Sequence, residues 1–98
     1  MPNTLSLLRL PAALEATGER RSTFYNRIKS GEMPPPVKIG ERAAAWPAHE
    51  IQVVVSALIA GSSKADIRAL VSRLIAERAS LRPDTPNETA RSAKQEAA

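Results

Sequence analysis

Residues 10–31 read LPAALEATGERRSTFYNRIKSG, and the glycines at 18 and 31 punctuate them into two short helices joined by a tight turn. Pro11 suits a first helical position, where its missing backbone N–H is not needed, so the first helix is expected over 11–17. Gly18 then stands where a left-handed residue commonly ends a helix. Ser22 or Thr23 is placed to cap the second helix, expected over 21–30, by accepting from backbone N–H groups that have no other partner. Phe24 and Ile28 stand four apart, hence on one face, and are expected to bury that face against the first helix. Arg21, Tyr25, Asn26, Arg27 and Lys29 are left to its other faces.

Working outward, Leu5, Leu7, Leu8 and Leu10 surround Arg9 in a short apolar run ahead of Pro11. On the other side, Met33-Pro34-Pro35-Pro36 cannot continue a helix, because three successive residues lack the backbone donor. Val37 and Ile39 alternate with Lys38, Gly40-Glu41 is a turn signal, and Ala43-Ala44-Ala45-Trp46 can return, which predicts a small hairpin. Pro47 opens a third helix in which Ile51, Val54, Val55, Leu58 and Ile59 recur at helical spacing, and Gly61-Ser62 ends it. Ser63 can cap a fourth, amphipathic helix, with Ile67, Leu70, Val71, Leu74, Ile75 and Leu81 opposite Lys64, Arg68, Arg73 and Arg78. From 83 to 98 there is no apolar period, the composition of a disordered tail. No internal repeat is visible.

The chain has 98 residues, enough for one small domain with appendages. The organisation expected is a domain over 1–62, a helix over 63–82 and a tail over 83–98. The net charge is +4, which favours a polyanionic partner without identifying one. Its placement is more telling: residues 1–46 hold seven Lys/Arg against four Asp/Glu and residues 63–81 four against two, whereas 82–98 hold three of each. The excess falls where the chain is expected to fold. There is no cysteine, so neither a disulfide framework nor a thiolate metal site is available. The longest apolar stretch, 51–60, is broken by Gln52 and Ser56 and is about half a bilayer span. With no export signal at the N-terminus, a cytoplasmic protein is the expectation.

Chemistry-bearing constellations are scarce. The only histidine is His49, no serine has a base at a nucleophile spacing, and no enzyme is expected. One histidine without cysteine does not make a zinc site, and Gly18, Gly31 and Gly40 form no phosphate-cradling series. Neither metal nor cofactor is expected. His49 reads as a surface residue in the first turn of the third helix, Trp46 as core, and the proline run as a stiff connection. What remains is the second helix. Arginine can bridge guanine and asparagine adenine, while hydroxyls and a helix N-terminus can hold phosphates, so such a helix can both position and read DNA. The same residues also suit an ordinary solvated face. Lys38 and Arg42, flanking the hairpin turn, pose the same choice.

Taken together, Leu8-Arg9-Leu10-Pro11, Thr17-Gly18, Arg21-Ser22-Thr23-Phe24-Tyr25, Arg27-Ile28, Gly31-Glu32-Met33-Pro34, Pro36-Val37-Lys38-Ile39-Gly40, Arg42 and Ala45-Trp46 before Glu50-Ile51 resemble a family. It is that of the AlpA-like and excisionase-type regulators of phages and mobile elements, within the MerR-like winged-helix superfamily. The resemblance covers roughly residues 7–59. It implies a winged helix-turn-helix, mainly α with a small β-hairpin wing, followed here by an amphipathic C-terminal helix. The second helix would enter the major groove of double-stranded DNA and the wing would meet the adjacent minor groove or backbone. Arg20, Arg21, Ser22, Thr23, Tyr25, Asn26, Arg27 and Lys29, with Lys38 and Arg42 on the wing, are then the DNA-binding residues. Two positions depart from the pattern. Glu19-Arg20 stands where AlpA-like proteins commonly have an apolar residue and Ser, and Glu41 stands where excisionases have an arginine directly after the wing glycine.

Three functions follow as expectations. The first is a recombination directionality factor, an excisionase that binds and bends attachment-site DNA and biases a tyrosine recombinase toward excision, with several copies associating on the DNA. The second is an AlpA-like transcriptional regulator acting at a promoter. The third is a protein-interaction adaptor or antitoxin that works through the fourth helix. The stripe from Ile67 to Leu81 is either a contact between protomers or an addition to its own domain's core.

Overall fold

A computed structural model describes residues 5–82. The tail expected over 83–98 lies outside the described residues. In chain order the elements are β1 (Leu7–Leu8), α1 (Leu10–Thr17), α2 (Arg21–Lys29), β2 (Val37–Gly40), β3 (Ala43–Pro47), α3 (Ala48–Ile59) and α4 (Lys64–Glu77), closed by a 3-10 turn over Arg78–Leu81.

The helix-turn-helix is punctuated as its glycines demand. Gly18 takes a φ of 71° and its N–H donates to the Leu14 carbonyl, ending α1; a Cβ there would be held in a backbone conformation that L residues avoid. The start of α2 differs from expectation. Its N-cap is Arg20, extended and without a side-chain cap, and Ser22 and Thr23 lie inside the first turn instead of capping it. Only Glu19 and Arg20 separate Gly18 from the helix, so neither hydroxyl sits at the boundary. The helix ends at Lys29, and Ser30 closes it with an Oγ that donates to the Asn26 carbonyl at 3.1 Å.

The hairpin forms between β2 and β3, with Val37 opposite Ala45, Lys38 opposite Ala44 and an irregularity before Gly40 opposite Ala43. The sequence reading did not foresee β1. Leu7 pairs with Pro47 and Leu8 with Trp46, so the sheet is antiparallel with the order β1-β3-β2. This places the alanine run in the central strand, and Ala45 there is fully buried. The alanines themselves pair with β2, while β1 pairs with Trp46 and Pro47 beyond them, so the run is held in the strand by pairing and by the burial of Ala45 despite its weak propensity.

Trp46 is the hub of the core. It packs edge-on to Phe24, ring centroids 5.1 Å apart, and its indole N–H donates to the Pro34 carbonyl at 3.0 Å. The tryptophan is core, as expected, and the same bond pins the proline run to the domain. Ala13, Phe24, Met33, Ile51 and Val54 complete the cluster together with Ile67, Val71 and Leu74 of α4. One hydrophobic core therefore runs across residue 62. The apolar stripe of α4 is turned inward on its own domain; of its two readings, this is the addition to the core. Only Ile75 and Leu81 of that stripe stay substantially exposed, as does Ile59 at the end of α3. Ser63 caps α4 as expected, accepting from the Asp66 N–H at 3.1 Å.

A buried ion pair, absent from the sequence reading, fastens the last turn to the rest. Glu50 is fully buried in the first turn of α3. Arg78 meets it with two hydrogen bonds, Nε to Oε2 at 2.9 Å and Nη2 to Oε1 at 2.7 Å, and Nη2 also donates to the Pro35 carbonyl at 2.8 Å. The helical spacing sets Arg78 opposite the apolar stripe of the fourth helix. Instead its fork joins α3, the proline run and the 3-10 turn.

Candidate nucleic-acid interface

At 3.6 residues per turn, burying Phe24 and Ile28 dictates what the rest of α2 presents. Ser22, Asn26 and Lys29 fall opposite the buried pair; Arg21 and Tyr25 flank it on one side, Thr23 and Arg27 on the other. The burial follows this geometry: Phe24 is fully buried and Ile28 packs against the core, while Arg21, Ser22, Thr23, Tyr25, Asn26 and Lys29 are exposed. Arg20 is exposed at the N-cap. Tyr25 is not free to wander. Its ring lies edge-on to both Phe24 and Trp46, at 6.0 and 6.3 Å, and the Arg21 guanidinium sits over it, 5.8 Å from the centroid. Two exposed side chains are thus ordered by one stack before any ligand arrives.

Arg27 behaves differently from its neighbours. Its Nε donates to Glu19 Oε2 and its Nη1 to Glu32 Oε1 at 3.4 Å, and its side chain is 26% exposed. Its donors are engaged by two carboxylates of its own domain, so it braces the helix; as a direct reader it would first have to leave them. Sequence reasoning missed Glu19 and Glu32 because they stand eight residues before and five after the arginine, across both ends of α2, where no helical period links them.

Lys38 and Arg42 are exposed on the hairpin. With Pro36, Glu41, Ala43 and Ala44 they line one shallow hollow at its end. The wing cations thus come together on one element and the α2 group on another. His49 is half-buried and not a surface residue, with an Nδ1 that is buried and unpartnered. It lines a second, apolar hollow with Leu5, Leu7, Val37, Pro47, Arg78 and Leu81. Leu7 and Pro47 are cross-strand partners, so this hollow lies on the sheet face opposite Trp46.

Among the described residues no group of three or more His, Cys, Asp and Glu is placed to hold a metal, and no helix is long and apolar enough to cross a membrane.

Two short helices about a tight turn, a hairpin wing and a small antiparallel sheet make the fold a winged helix-turn-helix. Residues 6–56 match the family described as prophage CP4-57 regulatory protein (AlpA). The match takes in just over half of the chain, and the chain belongs to that family. Over 57 residues it is 37% identical to an uncharacterized protein, ORF88, of Enterobacteria phage P4, a stretch covering 58% of this chain and 65% of that protein. The similarity thus spans slightly less than two thirds of the relative. No solved structure matches the chain.

Proposed function

We propose that this chain is a sequence-specific, double-stranded-DNA-binding regulator of a phage or related mobile element, with α2 in the major groove and the β2–β3 hairpin against the adjacent minor groove or backbone. The observation that carries this is the division of α2. Phe24, Ile28 and Arg27 are held by the domain, while Ser22, Asn26 and Lys29 stand on the outer side of the helix, with Arg21, Thr23 and Tyr25 exposed on its flanks. Arginine and asparagine supply the forks that match guanine and adenine edges. Arg20, Ser22 and Thr23 stand at a helix N-terminus that has no side-chain cap, where backbone N–H groups and hydroxyls suit a phosphate. Lys38 and Arg42 supply positive charge at the wing. Arg27 acts in this reading by positioning the helix.

The family's regulatory description supports action at a promoter. The resemblance to excisionase-type regulators over residues 7–59 supports a second role on the same surface. In it, copies bound side by side bend attachment-site DNA and bias a tyrosine recombinase toward excision. An adaptor role through the fourth helix loses its main support, because the apolar face it would use is buried in its own core.

The test begins with duplexes selected by the full chain from a random library. Binding should weaken with added salt. Arg21→Ala and Asn26→Ala should each cost about 1–3 kcal/mol and relax specificity, whereas Lys38→Ala should weaken all duplexes alike and lower the salt slope by about 1. Binding that ignores both salt and these substitutions would overturn the reading. A bending assay on the selected duplex, and excision with a cognate recombinase, separate the recombination role from the promoter role.

A further inference from the structure

The reading helix is gripped from a part of the chain beyond the family match, which ends at residue 56. Arg68 of α4 lays its stem along Gly31, where a Cβ would stand 3.8 Å from Arg68 Cγ. Its Nε donates to the Ser30 carbonyl at 3.2 Å, and its Nη2 lies 3.6 Å from Glu32 Oε2. That carboxylate also pairs through its other oxygen with Arg27. The result is a continuous chain of charge, Glu19–Arg27–Glu32–Arg68, that starts in the turn before α2, runs along its flank and ends on α4. A cation on the carbonyl that closes a helix is also favoured by the helix dipole.

The grip matters because α2 has few other holds. Its anchors, buried Phe24 and half-buried Ile28, lie on one side, with the Tyr25 ring against Trp46 beside them, so none of them holds the opposite flank or the C-terminal end. The ionic chain fixes the flank and the C-terminal end, so it sets where Asn26 and Lys29 point. A readout by base edges tolerates little such movement, whereas attraction to phosphates tolerates much more.

We infer that Arg68, acting through Glu32, is a positioning residue for the reading helix and makes α4 part of the specificity device. This rests on the proposal that α2 reads DNA. Arg68 touches no base in this account. It acts on selectivity by fixing the pose of residues that do.

The test uses the full chain with two probes of equal length, a duplex selected from a random library by the unmodified protein and a random-sequence duplex. Arg68→Ala should lower the selected-to-random affinity ratio about fivefold or more, the loss of roughly one base contact, with random-duplex affinity and salt slope unchanged. Arg68→Lys, which keeps the charge but loses the Nε bond, should fall between. Glu32→Gln gives the sharper sign. It removes a negative charge, so simple electrostatics calls for tighter binding to every duplex, whereas loss of positioning calls for a lower ratio. Equal weakening on both probes with a salt slope lower by about 0.9 would make Arg68 a phosphate contact and overturn the inference. An unchanged ratio in both Arg68→Ala and Glu32→Gln would overturn it as well. If the unmodified chain enriches no duplex, the DNA reading falls first and this role with it.

Discussion

Arg78→Ala should destabilise the protein far more than the loss of an ordinary helix-end arginine. In the folded chain Glu50 is fully buried and both its oxygens are bonded by Arg78, at 2.9 and 2.7 Å. Without the guanidinium a carboxylate is left in the interior uncompensated, and the Pro35 carbonyl loses its donor too. Breaking a buried pair in this way costs about 3–5 kcal/mol. In a domain of this size each kcal/mol moves Tm by about 4–8 °C, so the midpoint should fall by roughly 12 °C or more. The converse change is gentler. Glu50→Ala removes the deeper partner and leaves an arginine that is 23% exposed and can turn toward water. Replacing both, Glu50→Leu with Arg78→Met, should come within about 1 kcal/mol of the parent, since well-packed apolar groups often substitute for such pairs. Thermal and urea unfolding of the four proteins compares the three costs directly. An Arg78→Ala variant within about 1 kcal/mol of the parent would refute the reasoning.

Other expected outcomes follow from the same packing. Truncation after Ser62 should unfold the domain, because it removes Ile67, Val71 and Leu74 from the core; a cooperative melt of the 1–62 fragment near that of the full chain would contradict this. Phe24→Ala should cost about 3–5 kcal/mol by emptying the site between α2 and Trp46, whereas Phe24→Leu should retain a cooperative transition, both checked by chemical denaturation. Ser63→Ala removes the one side-chain cap on α4 and should cost about 1 kcal/mol, visible as a small fall in Tm with the fold intact.

Much of this fold is written locally. Pro11, Gly18 and Gly31 bound the two helices of the helix-turn-helix, the proline run forces the chain out, and the spacing of Phe24 and Ile28 sets which side of α2 is exposed. What was not legible depends on partners distant in sequence. β1 is two residues long and exists only because Leu7 and Leu8 meet β3; two leucines carry no period of their own. Glu50 and Arg78 stand 28 residues apart, each looking like a solvated charge until the fold brings them together. Arg27 looked like its neighbours on α2 because the carboxylates that hold it lie beyond both ends of the helix. For α4 the sequence showed an amphipathic stripe but not what it faces. That depended on whether the core of the first 62 residues was complete, and it is not.

The most direct test of the central claim maps where DNA lands. Amide and side-chain NMR shifts of the full chain should be recorded during titration with the selected duplex. The largest changes are expected at Arg21, Ser22, Asn26 and Lys29, a second group at Lys38 and Arg42, and little at Leu5, Leu7 or Leu81 around the apolar hollow. Shifts centred on that hollow or on α4, with α2 silent, would contradict the claim.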